Sequence, residues 1–234
     1  PVPLPCPYFD GGGDSGSPCD NPDEISIGRF PWRSLGLAPL RDADGECLWY
    51  AVSANFKQTA ATVPNNNSNG MLLVETGRGK LLAGTSDNNR AMAVIFSPSK
   101  QLGAQNRTLS GSATECGSVG NSALNRSQNY LESSNGINNA NGTKVIATAG
   151  TPGSDALPSN TPAVFVSGEA TTIDGIKTFN DQLHWLSIED YGIVFERMNT
   201  WVAAKVSGCL RAYGDSHAAL TNRYPWAAQL DAAA

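Results

Sequence analysis

The chain has 234 residues, enough for a sizeable core, and its 40% hydrophobic content with dispersed aromatic residues excludes a wholly disordered protein. Only 16% of the residues are charged, against about 25% in an average protein, and a net charge of −5 without a lysine or arginine cluster disfavours nucleic-acid binding. No apolar run reaches the roughly 18 residues typical of a membrane-spanning helix, and abundant asparagine, serine, threonine and glycine favour an exported protein of strands and long loops.

The predicted elements begin after a long irregular N-terminal segment. Residues 1–45 are rich in proline, glycine and aspartate, which predicts an extended segment that packs through the isolated anchors Phe30, Trp32 and Leu35. Aromatic and β-branched residues in 48–56 (LWYAVSANF) then predict a strand.

The next part of the chain predicts a sheet. Residues 71–75 and 81–82 are predicted as short strands, with a candidate hairpin turn around Gly77–Gly79. Residues 91–97 (AMAVIFS) form the strongest strand pattern, because nearly continuous apolarity that stops at Pro98 is typical of a central strand. So short a run is also compatible with a helix.

Residues 101–160 differ in composition, since they are rich in asparagine, serine and glycine. This composition favours a long loop with a short helix near 125–132, and long loops in compact domains are usually functional or mobile. Residues 144–148 and 163–167 are predicted as edge strands, and residues 183–187 as the last strand.

The clearest predicted helix spans residues 188–213. Ser187 and Asp190 form an S-x-x-D capping pattern at its start, and Gly214 is suited to end it. Apolar residues at a spacing of three and four positions make this helix amphipathic. They are Ile188, Tyr191, Val194, Phe195, Met198, Val202, Val206, Cys209 and Tyr213. Residues 214–234 are predicted as a tail.

The five cysteines favour disulfides over a metal site, because the chain has no CxxC pair and its two histidines lie outside the spacings of zinc ligands. Cys6 and Cys19 enclose a short loop that could hardly hold a shape unaided, which favours a disulfide over two buried free thiols. Cys47, Cys116 and Cys209 leave at most one further pair, and its members stay open. If disulfides form, the compartment is oxidising.

Short patterns that resemble catalytic motifs lack the context that catalysis requires. Gly13–Pro18 (GDSGSP) resembles the nucleophile segment of trypsin-like proteases, but no histidine precedes it. Gly214–His217 (GDSH) resembles a hydrolase motif that opens a fold, whereas here it lies far along the chain. Asp42 and Asp44 are interpreted as turn residues rather than an acid–base pair, and His184 as a packed or solvated strand residue.

Four aspartates of the N-terminal loop, Asp10, Asp14, Asp20 and Asp23, form a candidate calcium site. Hard cations require several oxygen ligands at close range, and a short acidic loop with glycines can supply them. Their spacing is not that of an EF-hand, so the alternative is a solvated acidic turn held by the disulfide. No other cofactor is predicted.

Several segments, taken in order, resemble bacterial type IV pilin-like and type II secretion pseudopilin-like proteins. Leu4–Pro7 with the acidic loop up to Cys19 resembles their LPCPD…C opening, and Phe30–Leu37 resembles their LPWRTLGL segment. The other matching segments are Asp42 with Leu48–Ser53 (LWYAVS), Ala93–Pro98 (AVIFSP), Asn129–Glu132 (NYLE), Phe179–Asp181 (FND) and Tyr224–Ala227 (YPWA). Together the matching segments span about residues 4–228.

The resemblance implies an α+β fold, with a single pilin-like head over residues 1–234, an antiparallel sheet with long loops in 46–187, and a long C-terminal amphipathic helix. The family's N-terminal transmembrane helix is absent from this chain; in the family it anchors the subunit in the inner membrane and later packs into a filament core. The implied protein is not an enzyme. It is a structural subunit of a type IV pilus or pilus-like secretion filament, which exposes this head for adhesion or for contacts with other pilin or pseudopilin subunits.

The implied location is the periplasm or cell surface of a Gram-negative bacterium. Two other functions stay open. A secreted or pilus-tip binding module would recognise a sugar or a protein, and an aromatic-lined pocket near Trp32, Trp49 or Trp226 would favour it. An exported hydrolase is the more remote alternative, and it would require a Ser–His–Asp group or a carboxylate pair in a cleft.

Overall fold

A computed structural model describes residues 3–8, 19, 24–58, 64, 68–108, 112–119, 127–144, 162–168, 171–173 and 175–216. Over these residues the fold is mixed α+β, with a mostly antiparallel sheet and one α-helix, which lies C-terminal to the strands. The chain divides into two compact units, Pro1–Glu189 and Asp190–Ala234.

In chain order, the strands are β1 (Ser26–Arg29), β2 (Trp49–Val52), β3 (Leu72–Thr76), β4 (Leu81–Ala83), β5 (Ala91–Ser97), β6 (Ser112–Thr114), β7 (Gly117–Val119), β8 (Ser133–Ser134), β9 (Ile137–Asn138), β10 (Thr143–Lys144), β11 (Ala163–Ser167), β12 (Thr171–Ile173), β13 (Ile176–Phe179) and β14 (Gln182–Ser187). The helix is α1 (Ile188–Ser216).

Strand β5 lies at the centre of the main sheet, which contains seven of the strands in the described part of the chain. Both β2 and β14 pair antiparallel with β5, and β1 pairs antiparallel with β2. Strand β3 meets β5 where Leu72 lies opposite Ala91, and it also carries β4. Strand β11 pairs parallel with β3 at the edge of the sheet.

Burial on both faces of the sheet explains why β5 is apolar almost throughout. Side chains alternate between the two faces along a strand. In β5, Phe96 packs in one apolar cluster and Ala93 in another. In β2, Trp49 and Tyr50 divide between the same two clusters. A sheet with one solvated face would carry polar residues at every second position, so these sequences reflect a sheet covered on both sides.

Two irregular segments supply this cover through large buried side chains. On one face, Tyr8, Phe30 and Trp32 of the N-terminal segment pack together, and the Trp32 indole nitrogen donates a hydrogen bond to the Tyr8 hydroxyl at 3.0 Å. On the other face, Tyr130 and Leu131 pack against the sheet. Burying a large apolar side chain stabilises a fold by about 1.5–3 kcal/mol, so such anchors hold segments that form few strand pairs.

The structure corrects the prediction for residues 1–45 in two respects. Residues 26–29 form strand β1, whose sequence (SIGR) is too short and too polar to show a strand pattern, and pairing with β2 decides its conformation. Phe30 and Trp32 are buried as predicted, but Leu35 is 44% exposed and is therefore not an anchor.

Two predicted elements prove shorter than expected. The strand predicted over 48–56 ends at Val52, and Ala54–Phe56 form a 3-10 turn. The short helix predicted near 125–132 is confirmed only in part, because the described residues of that range contain a single 3-10 turn at Ser127–Asn129. A single 3-10 turn holds too few residues to show a periodic pattern.

The long loop predicted over 101–160 also requires correction, since its described parts contain short paired strands. Strands β6 and β7 form a hairpin, and β8, β9 and β10 form a small antiparallel sheet. Asn135 and Gly136 both adopt positive φ between β8 and β9, the conformation that a tight two-residue hairpin turn requires. Strands of two or three residues leave no periodicity in the sequence. Residues 145–161 lie outside the described ranges.

The remaining strand predictions are confirmed to within one residue. Strand β3, the β3–β4 hairpin, the central strand β5, the edge strand β11 and the last strand β14 all lie where the apolar patterns place them. The edge strand predicted at 144–148 corresponds to β10 at its first residue, and the rest of that range is not among the described residues.

The helix α1 is longer than predicted, because it continues past Gly214 to Ser216. A glycine inside a helix costs only about 1 kcal/mol relative to alanine, so it does not have to end the helix. From the predicted apolar stripe, Met198, Val202 and Val206 are exposed. In the described part of the chain, no helix combines the length and apolarity that crossing a bilayer requires.

Candidate functional site

Asp42 organises a turn, as interpreted from the sequence. Its Oδ1 accepts hydrogen bonds from the backbone nitrogens of Asp44 at 3.0 Å and Glu46 at 2.9 Å. Its Oδ2 accepts from the Ser97 hydroxyl at 3.1 Å and from the Ser99 backbone nitrogen at 2.8 Å. These four bonds close the turn and fasten it to the end of β5, so the Asp42 carboxylate has a structural role.

The other catalytic-looking residues are not assembled into a site. His184 is exposed on β14, opposite Ile95 of β5, and is a solvated strand residue. Residues 214–216 of the GDSH pattern lie inside α1, and His217 is outside the described residues. The GDSGSP pattern at 13–18 is also outside them.

The four candidate calcium ligands, Asp10, Asp14, Asp20 and Asp23, lie outside the described residues, so calcium binding stays a prediction. Elsewhere in the described chain, no group of three or more His, Cys, Asp or Glu residues is placed to hold a metal ion.

Calcium at about 1–5 mM is expected to raise the melting temperature, because an ion bound only by the folded state stabilises that state. Thermal unfolding with calcium, with equal magnesium and with a chelator would measure this effect. An unchanged melting temperature in millimolar calcium would contradict the calcium site.

Four of the five cysteines are joined in two disulfides. Cys6 pairs with Cys19, the pair favoured from the sequence, with their Cα atoms 5.9 Å apart. Cys47 pairs with Cys116, a pair that the sequence left open, at a Cα separation of 5.6 Å. Cys209 is an exposed free thiol. Two disulfides indicate an oxidising environment, either extracellular or periplasmic.

Arg107 joins residues from distant parts of the chain. Its side chain is only 5% exposed. The guanidinium donates hydrogen bonds to the carbonyl oxygens of Ser99 at 2.6 Å and Tyr130 at 3.1 Å. It forms ion pairs with Glu46 at 3.3 Å and Glu132 at 3.9 Å. Arg107 therefore fastens the 127–144 segment to the loop that follows β5.

Glu132 and Asp181 form a second buried polar group. Asp181 Oδ2 accepts hydrogen bonds from the Glu132 backbone nitrogen at 2.8 Å and from the Asn139 amide at 3.0 Å. The other carboxylate oxygen, Oδ1, is buried and has no hydrogen-bond partner among the described residues. Glu132 Oε2 accepts from the Asn180 backbone nitrogen at 3.0 Å. Burial raises the pKa of the Asp181 carboxyl well above its usual range, and the adjacent Glu132 raises it further. Asp181 is therefore neutral over a wider pH range than an ordinary aspartate.

Arg29 of β1 is a buried cation between two aromatic rings. Its Cζ lies 4.5 Å from the ring centre of Trp49 and 4.0 Å from that of Tyr130. One terminal nitrogen donates to the Cys47 carbonyl at 3.1 Å, while Nε has no partner in the described chain. Burial lowers the pKa of the guanidinium, and Tyr130, a second tyrosine and Glu46 oppose this effect. The direct contacts of this charge are aromatic faces and a carbonyl, and the Glu46 carboxylate stabilises it from a longer distance.

A cleft of about 290 Å³ opens beside the Cys47–Cys116 disulfide. Its lining includes three arginines, Arg29, Arg41 and Arg107. The acidic residues that line it are Asp44, Glu46 and Glu115. Thr114 and Tyr130 contribute the side-chain hydroxyls, and no histidine or free thiol is among the described residues that form its wall. This set of charged and hydroxyl-bearing side chains can bind and orient a small polar molecule.

The aromatic pocket considered for a binding module is not formed by Trp32 or Trp49. Both side chains are buried in the apolar clusters that cover the sheet. Trp226 lies outside the described residues. The cleft beside the Cys47–Cys116 disulfide is instead polar, with three arginines in its lining.

Sequence reasoning did not assign roles to Arg29, Arg107, Glu132 or Asp181. Arg29 carries no sequence signal of its burial, because neighbouring side chains on a strand face opposite sides and the apolar Phe30 beside it is therefore uninformative. Nothing in the sequence relates Arg107 to Glu132 or Asp181, since these contacts cross many residues of chain.

A scan against protein-family models matches no family, and searches of curated proteins and of solved structures find no match to this chain.

Proposed function

We propose that this chain is the exported head of a structural subunit of a type IV pilus or pilus-like secretion filament, and that its role is assembly rather than catalysis. The observation that carries the proposal is that several segments resembling those of pilin-like proteins contact one another on the two faces of one sheet. The proposed partners are other pilin or pseudopilin subunits, and the inner membrane through an N-terminal helix. The proposed location is the periplasm or cell surface of a Gram-negative bacterium.

The aromatic residues of these segments support the proposal through their contacts. Trp49 of the LWYAVS segment lies 5.2 Å from Tyr130 of the NYLE segment, measured between ring centres. Phe30 of the FPWRSLGL segment meets Tyr50 edge to face at 5.8 Å. Such pairs contribute about 0.5–1.5 kcal/mol beyond the apolar area that they bury.

The polar residues of these segments are also engaged with one another. Asp42 accepts a hydrogen bond from Ser97 of the AVIFSP segment, and Glu132 accepts one from the backbone of Asn180 in the FND segment. Asp181 in turn accepts one from the backbone of Glu132. A catalytic group must reach its substrate, whereas these buried contacts connect loops to the sheet. They favour an ordered set of structural residues over an active site.

The natural full-length protein in its own host tests this proposal. Cells would be separated into culture medium, sheared surface filaments and membranes, and the chain detected with an antibody. We expect it in the filament or membrane fraction, and we expect deletion of its gene to reduce filaments or secretion. The gene upstream of Pro1 is expected to encode a short basic leader and about 20 apolar residues.

A gene copy without those apolar residues is the matched control, because it should not restore filaments. Protein found free in the medium, together with normal filaments and secretion after gene deletion, would contradict the proposal.

The arginine-lined cleft favours a second candidate function, that of a secreted or pilus-tip binding module for a small ligand. Its volume of about 290 Å³ is near the lower limit for small-molecule sites, and several charged groups converge on it. The same fractionation separates the two functions, since a free binding module would accumulate in the medium without affecting filaments.

A further inference from the structure

We propose that the cleft beside the Cys47–Cys116 disulfide binds a small hydroxylated carboxylate, such as a hexuronic acid, with its carboxylate directed to Arg29 and Arg41. No residue pattern in the sequence marks this site, and it goes beyond the structural function proposed above. Its test does not depend on filament assembly.

The acidic residues that line the cleft already have cationic partners, two of which lie outside the cleft lining. The pairs are Asp44 with Lys100 (3.8 Å), Glu46 with Arg107 (3.3 Å) and Glu115 with Arg33 (4.0 Å). Each lining carboxylate therefore has its charge at least partly balanced.

Arg29 and Arg41, by contrast, have no carboxylate partner among the described residues. Arg29 donates to the Cys47 carbonyl, and Arg41 donates to the carbonyls of Gly45 at 2.8 Å and Glu115. Carbonyl oxygens carry only partial charge. Neither guanidinium therefore has a direct carboxylate ion pair among the described residues, and Glu46, which is already paired with Arg107, offsets the Arg29 charge only from a longer distance.

A buried charge is costly unless it is paired, and Arg29 is only 2% exposed. An anion in the cleft would supply the missing counter-charge through charge-assisted hydrogen bonds. The planar guanidinium fork matches a carboxylate particularly well, because it can present two parallel donors to the two oxygens.

The acidic lining narrows the class of anion. Asp44, Glu46 and Glu115 would repel a dianion such as phosphate or sulfate, but they accept hydrogen bonds from hydroxyl groups. A ligand with one carboxylate and several hydroxyls satisfies both parts of the lining. The volume of about 290 Å³ is at the low end for small-molecule sites, which suits one sugar-acid unit.

Titration of the ¹⁵N-labelled oxidised protein with sodium glucuronate at low ionic strength, followed by NMR, tests the site. We expect saturable shifts around the cleft with a dissociation constant of about 0.1–10 mM. Arg29→Met would be the obvious variant, but burial makes its folding uncertain. Exposed Arg41 is therefore replaced instead, and Arg41→Gln is expected to weaken binding by about tenfold or more.

Arg78→Gln is the matched control, since it removes an equal charge from an exposed arginine outside the cleft lining. It should change the affinity by less than about twofold.

Glucose, which lacks the carboxylate, and sulfate, which lacks hydroxyls, should each bind at least about tenfold more weakly than glucuronate. The proposal is overturned by unsaturated or absent shifts at about 50 mM glucuronate, by unchanged affinity in folded Arg41→Gln, or by glucose or sulfate binding as tightly as glucuronate.

Discussion

Replacing both Cys47 and Cys116 with serine is expected to lower the free energy of unfolding by about 4 kcal/mol. The two cysteines are 69 positions apart, so their bond removes much of the conformational freedom of the unfolded chain. Both are buried in the cluster that contains Trp32 and Tyr50, which adds a packing loss. Because domains are typically stable by about 5–15 kcal/mol, this change removes a large share of the total.

Urea unfolding of the oxidised protein, followed by far-UV circular dichroism, measures the effect. Replacing Cys6 and Cys19 is expected to cost less, about 3 kcal/mol, because they are only 13 positions apart. Cys209→Ser is the matched control, since this thiol is exposed and free, and it should change stability by less than about 0.5 kcal/mol. A loss below about 1 kcal/mol for the Cys47/Cys116 variant would contradict a stabilising role for that bond.

The second large effect concerns Asp181, whose replacement by asparagine is expected to remove a pH dependence of stability. The pKa of Asp181 is raised in the folded state above the value of about 3.9 that an aspartate has in the unfolded chain. At pH values between these two pKa values, the folded protein therefore binds more protons than the unfolded chain. The contribution of Asp181 to the free energy of unfolding is therefore fully present below about pH 3.9 and is lost as the pH rises through the folded pKa.

Asparagine is neutral at every pH, so Asp181→Asn should make unfolding less dependent on pH above about pH 4 than in the wild type. Its side-chain oxygen can still accept from the Glu132 backbone and the Asn139 amide. Asp181→Ala is expected to be destabilising instead, by about 1–3 kcal/mol for each of the two buried donors that lose their acceptor.

Urea unfolding at a series of pH values between about 4 and 8 would compare these variants. Asp87→Asn is the control, because Asp87 lies on the surface in an exposed pair with Arg90 and should contribute about 0–1 kcal/mol. If the stabilities of the wild type and Asp181→Asn fall in parallel over this pH range, Asp181 titrates like an ordinary aspartate and the prediction is contradicted.

Long apolar patterns predicted the sheet well. The nearly continuous run of β5 identified the central strand, and the run of β11 identified an edge strand, because burial requires apolar side chains wherever a strand is covered. The β3–β4 hairpin followed from glycines between two short apolar runs. Short strands of mostly polar composition, such as β1 and β8, were missed because pairing with a neighbour, rather than their own composition, determines them.

The cleft shows the limit of local patterns most clearly. Arg29, Arg41 and Arg107 are separated by long stretches of sequence that carry no shared motif, and the disulfide beside them joins residues 69 positions apart. Such sites depend on which loops the sheet brings together, and a single sequence holds no direct record of contacts between distant residues.

By itself, the amino-acid sequence determined the strand-rich class of this protein, its longest strands and helix, the favoured Cys6–Cys19 pair and the turn role of Asp42. Those features depend on neighbouring residues, whose spacing and composition set local conformation and burial. Tertiary structure alone decided the Cys47–Cys116 pair, the raised pKa of Asp181 beside Glu132, and the buried Arg29 beside an arginine-lined cleft. These features arise from contacts between residues far apart in the chain, and burial in that shared environment sets their charge and bonding.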